Sequence, residues 1–306
     1  MKIAVASGKG GTGKTTVSVS LALSVSDPVV LLDCDVEEPN SSIFLGDTTG
    51  RQTETVTVPV PVLDESKCTA CGECGRFCEF NAIVCVGTSV MVFPELCHSC
   101  GGCIRVCPHG ALHEEESPVG ELSFCTISAG TGSNRTLILV EGVLTIGKAM
   151  SPPVIRAVKR KGAALAGTLS SENARDVLTI MDSPPGTSCP MTTTVSDADV
   201  VILVTEPTPF GLHDLDLAVK TVRKMKLPFG VVINRSDSGD DRVREYCKKE
   251  SIPLLLEIPE DRRIAEGYSS GIPLVQAAPE YREQFARLAR DAACLAGVVN
   301  DGRKDA

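Results

Sequence analysis

Residues 8–16 read Gly-Lys-Gly-Gly-Thr-Gly-Lys-Thr-Thr, and they decide the fold. An apolar run at residues 2–6, Lys-Ile-Ala-Val-Ala, precedes them and predicts a short buried strand. An apolar, Ser-rich stretch from about residue 14 to 26 follows and predicts a helix, and residues 29–33, Val-Val-Leu-Leu-Asp, predict a second strand. Strand, glycine loop, helix, strand is a parallel βαβ unit, and a glycine loop in that setting is built to hold phosphate. Gly8, Gly10, Gly11 and Gly13 let backbone N–H groups turn inward, and the helix N-terminus adds positive potential. Lys14 is placed to reach the β- and γ-phosphates. The Thr15 hydroxyl is placed to ligate Mg²⁺, which favours oxygen ligands, and Thr12 and Thr16 complete the nucleotide-binding stretch.

Outward from the loop, the same alternation continues. Strands are predicted at 137–140, 177–181, 200–204, 230–233 and 254–258, with helices at 153–161, 213–225, 241–250 and 280–296. The expected fold is α/β, a doubly wound and mostly parallel sheet. A chain of 306 residues suits one large domain of this kind plus a small second unit. Aromatics are 4% of the chain and Trp is absent, so the core must be aliphatic. A net charge of −9 argues against general affinity for nucleic acid.

Residues 60–113 break the pattern. Nine of the 14 cysteines fall within 68–107, with Pro59 and Pro61 before the block and residues 114–118 after it. The block reads as an insertion, leaving 1–59 and 114–306 as the phosphate-loop domain. The chain opens on a strand, not on an export signal, and no run of about 18 apolar residues is present to span a bilayer. The expectation is therefore a cytoplasmic protein with reduced cysteines and no stable membrane anchor, in which metal binding outweighs disulfides.

Within the block, Cys68, Cys71, Cys74 and Cys78 are followed by Cys97, Cys100, Cys103, Cys107 and Pro108. The spacing x2-x2-x3, twice, is that of two-cluster bacterial ferredoxins, in which the fourth cysteine serves the other cluster. That assigns Cys68, Cys71, Cys74 and Cys107 to one 4Fe–4S cluster, and Cys97, Cys100, Cys103 and Cys78 to another. A four-cysteine zinc site commonly uses two Cys-x2-Cys pairs, which this spacing suits badly. Glu79 stands where such a run usually has Pro. The remaining Cys34, Cys85, Cys125, Cys189, Cys247 and Cys294 are expected to be buried free thiols.

Lys9 is a second lysine early in the loop, and with it the chain resembles the MinD/ParA/nitrogenase iron protein class of ATPases. The resemblance extends to Asp33-Cys34-Asp35, to Asp182-Ser183-Pro184-Pro185-Gly186, and to Asn234-Arg235 after a strand. It implies an ATP-bound homodimer in which Lys9 crosses to the partner's nucleotide. It also implies that Asp35 orients the attacking water, Asp33 lies near the Mg²⁺ shell, and Asp182 holds Mg²⁺ through water. Gly186 would sense the γ-phosphate, and Asn234 and Arg235 would contact adenine. Two alternatives stay open: Asp33 could cap a loop, and Asn234 could be a loop amide bonded to backbone. As a whole the chain resembles MinD-type ATPases carrying an inserted ferredoxin-like domain. What the resemblance implies is an ATPase that couples nucleotide state to electron transfer with a redox or client protein. An ATP-switched module that organises partners, or an iron–sulfur carrier, are the other two readings. Mrp-type carriers use a late cysteine pair that this chain lacks. The last helix, with Phe285, Leu288, Ala292 and Leu295 at helical spacing, is expected to pack on the sheet.

Overall fold

A computed structural model of the chain describes residues 1–46, 50–127, 136–148, 150–173 and 176–302, and for 172–173 and 298–302 the backbone alone. The elements run β1 (Lys2–Ala6), α1 (Lys14–Ser24), β2 (Val29–Asp33), α2 (Ser41–Leu45), β3 (Gln52–Leu63), α3 (Glu73–Phe77), β4 (Ile83–Val86), β5 (Ser89–Val92) and α4 (Gly102–Val106). They continue with β6 (Leu112–Ile127), β7 (Leu137–Leu144), α5 (Ser151–Asn173), β8 (Leu178–Asp182), α6 (Cys189–Val195), β9 (Val200–Thr205), α7 (Pro209–Lys224) and β10 (Phe229–Asn234). The last are α8 (Arg242–Lys249), β11 (Leu254–Ile258), α9 (Arg262–Ser269), α10 (Leu274–Ala277) and α11 (Arg282–Gly302).

Nine strands form one sheet in the order β11-β10-β9-β1-β8-β2-β7-β6-β3. The run from β11 to β7 is parallel, as expected; β6 pairs antiparallel with β7, and β3 antiparallel with β6. Both faces of the parallel part are covered, so its strands are apolar throughout and alternate between two cores. In β1, Ala4 and Ala6 face the core shared with α5 and α7, while Ile3 and Val5 face the core shared with α1 and α11. Phe285, Leu288 and Ala292 of α11 are fully buried in the second core, which makes packing on the sheet the use of that helix. Among the described residues, no helix is long and apolar enough to cross a membrane.

The prolines Pro59 and Pro61 and residues 114–118 are the edges that the sequence predicts for the irregular block. These residues instead lie inside two long strands continuous with the sheet. β6 pairs with β7 only from Gly120 to Ile127, and residues 112–118 pair with β3 alone, from Leu63 to Thr57. The two-stranded arm therefore projects about 20 Å beyond the sheet. β3 is the edge strand, which explains the prolines. Spaced two apart, Pro59 and Pro61 point their missing N–H groups to the same, unpaired side, so no ladder bond is lost. The arm's tip, residues 64–111, carries α3, α4 and the β4–β5 hairpin around a small core of Cys74, Ile83, Cys103 and Leu112.

The expectation of six buried free thiols holds for Cys34, Cys125 and Cys247, while Cys85 is half-buried. Cys189 and Cys294 are exposed. Cys189 opens α6 at its first turn, and Cys294 lies off the face of α11 that Leu288 and Ala292 bury.

Candidate functional site

The phosphate loop joins β1 to α1 at the C-terminal end of the parallel strands. Gly13 holds the turn into α1 with φ +95°, and a Cβ there would stand 2.5 Å from the Asn234 amide, so only glycine fits. Lys14, the first residue of α1, is 94% buried by the loop around it. The Thr12 hydroxyl is buried with no hydrogen-bond partner, a polar atom in the cradle that an oxygen-rich ligand would satisfy.

Beneath the loop, Asp182 ends β8 fully buried. Its carboxylate accepts hydrogen bonds from the Thr15 hydroxyl at 2.6 Å and the Ser18 hydroxyl at 3.0 Å. Ser18, one helical turn after Lys14, is a site residue that the sequence reading missed; its signal was the i+4 spacing on α1. Burial, then the negative charge of Asp33, pushes the Asp182 carboxyl up to about 8, against the two hydroxyls and Lys14. Asp33 is fully buried, and burial outweighs its backbone hydrogen bonds to raise it to about 6. Asp35 is also raised to about 6, by burial first, with Lys14 opposing. Burial is thus the first cause that raises all three carboxyls, and Asp182 is raised the most. The hydroxyl of Thr15 and the carboxylate of Asp182 are the hard oxygen donors that Mg²⁺ takes, so the residues fit that ion.

Asp33 uses both oxygens on backbone: Oδ1 accepts from Asp35 N–H at 3.1 Å, and Oδ2 from Asn40 and Ser41 N–H at 3.0 and 2.9 Å. It therefore orders the loop that carries Asp35. Gly186, at φ +90°, donates its N–H to the Ser7 carbonyl at 3.0 Å and ties the Asp182–Gly186 segment to the phosphate loop. On the other flank, Asn234 donates its side-chain N–H to the Thr12 carbonyl at 3.0 Å. Both open alternatives thus describe contacts that the structure contains.

The order β10-β9-β1 sets three strand ends side by side. Glu206, just after β9, is a second residue that the sequence reading missed. One of its oxygens pairs with Lys9 at 3.1 Å, and the other with Arg235 at 2.8 Å. Its only sequence signal was its position at a strand end beside the loop.

At the arm's tip the cysteines fall into two groups. Cys68, Cys71, Cys74 and Cys107 line one small cavity of about 20 Å³. Cys78, Cys97, Cys100 and Cys103 line another of about 320 Å³ with Phe77 and Phe80. The two runs repeat the same backbone. Ala70 and Ser99, at φ +53° and +54°, turn their N–H groups onto Cys68 Sγ at 3.4 Å and Cys97 Sγ at 3.3 Å. Ala111 N–H donates to Cys107 Sγ at 3.3 Å. Burial alone would raise the Cys107 thiol, but backbone N–H groups, Ala111 foremost, lower it below the usual thiol range. Among the described residues, no three His, Cys, Asp or Glu side chains converge closely enough to hold a single metal ion.

A mostly parallel sheet, a glycine loop opening a buried helix, and strand-end carboxylates beneath it define a phosphate-loop nucleotide-binding protein. Residues 3–274 match the family described as the CobQ/CobB/MinD/ParA nucleotide binding domain, and the chain belongs to that family. It is an ATPase of the MinD/ParA type. An uncharacterized protein of Methanocaldococcus jannaschii is 29% identical, across 89% of this chain and 90% of its own length. The iron-sulfur cluster carrier protein of Pyrococcus abyssi is 26% identical, across 90% of this chain and 79% of its own. The septum site-determining protein MinD of Pyrococcus horikoshii, solved with Mg-ADP, superposes with a TM-score of 0.54 at 23% identity, covering 97% of both chains. That likeness shows the fold.

Proposed function

We propose that this chain is an ATP-driven dimeric switch whose nucleotide state is coupled to electron transfer through two 4Fe–4S clusters in a ferredoxin-like domain at residues 64–111. Two separate sets of four thiols, each around its own cavity, carry this reading. Each set takes three cysteines from one run and the fourth from the other, the exchange that the two-cluster ferredoxin pattern requires. A single tetrahedral metal would need sulfurs about 3.8 Å apart, from metal–sulfur bonds of about 2.3 Å. Two x2-x2-x3 runs that share their cysteines between two sets suit a wider, multi-iron group better than that single ion. Backbone N–H groups lower the Cys107 thiol and favour its thiolate, while burial raises Cys74, Cys97 and Cys103, whose thiolates a bound cluster would have to stabilise. When bound, the clusters would supply one-electron carriers.

ATP lies across the phosphate loop in this reading, with Thr15 and Asp182 holding Mg²⁺ and Asn234 and Arg235 beside the base. Asp35 positions the attacking water, and Lys14 stabilises charge on the γ-phosphoryl oxygens, helped by Lys9 of the second protomer. Mg²⁺ would supply further charge neutralisation at the phosphates. Asp33 orders the Asp35 loop, and Gly186 links Asp182 to the phosphate loop. A change at the γ-phosphate could thus move both loops together. The nitrogenase iron protein offers the analogy for coupling such motion to redox chemistry, and it is an analogy of fold and motif.

A second reading, iron–sulfur cluster carrier, is favoured by the similarity to iron-sulfur cluster carrier proteins about 26% identical. An anaerobic EPR redox titration, with and without Mg-ATP and a non-hydrolysable analogue, separates the two. Coupling predicts stable clusters whose potentials shift by about 59 mV, a tenfold change for a one-electron couple, when nucleotide binds. Clusters indifferent to nucleotide and passed intact to an apo-protein would refute electron-transfer coupling and support the carrier. No iron signal in fully metallated protein would refute both.

A further inference from the structure

We propose that Glu206 is a positioning residue that holds Lys9 within its own protomer and releases it when two protomers close around ATP. This rests on the reading of Lys9 as the lysine that reaches the partner's nucleotide. The Glu206 side chain is 11% exposed, so it is screened from water, while Lys9 is 32% exposed and has room to leave. The Ser7 hydroxyl donates to the Lys9 carbonyl at 2.5 Å, which fixes the backbone and confines movement to the Lys9 side chain. In this state the ammonium is neutralised by a carboxylate of the same chain, and an incoming polyphosphate must compete with Glu206 for it.

Arg235 makes the release reversible. A nearly buried carboxylate left without a partner is costly. The guanidinium of Arg235, 2.8 Å from the other oxygen, keeps Glu206 compensated after Lys9 departs. Arg235 adjoins Asn234, whose amide touches the Thr12 carbonyl, so the acid spans the loop bearing Lys9 and the corner expected to hold the base. Neither half of this arrangement is needed to fold the strand ends, because β9 and β10 are already paired through their backbones.

The test compares wild type, Glu206→Gln, Lys9→Ala and the double variant as whole, cluster-loaded protein. Sedimentation is followed with Mg²⁺ and a non-hydrolysable ATP analogue, together with ATP turnover across protein concentration. Glu206→Gln should lower the concentration for half-dimerisation about three- to tenfold, the scale of two partly screened ion pairs, one released in each protomer. Its gain in turnover should be confined to low protein concentration, a split that a merely structural lesion would not produce. Lys9→Ala should abolish nucleotide-driven dimers in both backgrounds. Glu206→Asp, which keeps the charge but withdraws it from Lys9, should shift in the same direction by less, and serves should the Gln variant fail to fold. An unchanged or weaker dimer in the Glu206 variants, with Lys9→Ala still defective, would overturn the latch alone. Dimers that survive Lys9→Ala would overturn the reading of Lys9, and the latch with it.

Discussion

Asp182→Asn should abolish a proton release that accompanies Mg-ADP binding to the wild-type chain. The Asp182 carboxyl is pushed up to about 8 by burial and by Asp33, so it is mainly protonated at neutral pH. Mg²⁺ takes the ionised form, and binding must expel the proton. The release should be a large fraction of one proton per site near neutral pH and should shrink as pH rises through about 8. Isothermal titration calorimetry in two buffers of different ionisation enthalpy reads this number directly. The variant keeps the side chain's shape and can still accept one of the two hydroxyl bonds from Thr15 and Ser18, but it has no proton to lose. Protons lost by the nucleotide itself appear in both proteins and cancel. Equal release from wild type and variant at pH 7 would refute the protonated, cation-deficient Asp182. The same linkage has a sign for stability without ligand. A folded carboxyl raised above its unfolded value keeps a proton that the unfolded chain sheds, so this group removes stability as pH climbs from about 4 to about 8. The slope is about 1.4 kcal/mol per pH unit. Urea midpoints in EDTA should therefore fall more steeply with pH in wild type than in Asp182→Asn.

Cys107→Ser should lower iron from about eight to about four per chain, with Mössbauer spectra retaining the group bounded by Cys78, Cys97, Cys100 and Cys103. Loss from the set containing Cys97 instead would contradict the exchange of fourth cysteines. ATP turnover should fall on the acid side through an apparent value near 6, because burial raises Asp35 to about 6 and the carboxylate is the form that orients water. Asp35→Asn should remove most turnover while nucleotide binding, read by equilibrium dialysis, remains. Phe285→Ala should cost about 3–5 kcal/mol in urea unfolding, since the ring is fully buried between α11 and the sheet. A loss below about 1 kcal/mol would mean that α11 is not seated there.

The nucleotide half of the site was legible in the sequence because its chemistry is local. Gly8 to Thr16 are contiguous, and a loop between a strand and a helix has one way to present its N–H groups. The sheet order was less legible, since a parallel strand declares its type by composition and not by its neighbour. The arm hid for a further reason: β3 carries Pro59 and Pro61, which read as a break, and only its place at the sheet edge makes them harmless. Ser18 and Glu206 were missed because serine on a helix and glutamate at a strand end have many ordinary uses.

By itself, the sequence determined the phosphate loop, the parallel α/β class and two four-cysteine runs, each a short pattern whose spacing carries its own chemistry. The spacing also pointed to the exchange of fourth cysteines, and the tertiary structure shows how Cys78 and Cys107 come to line the opposite sets, through the packing of α3 against α4. It alone set Asp182 against Asp33 in a dry interior and so raised its proton affinity, since burial is a property of the assembled sheet. And it alone brought Lys9, Glu206 and Arg235 together, because residues some 200 positions apart in the chain meet only when β1, β9 and β10 lie side by side.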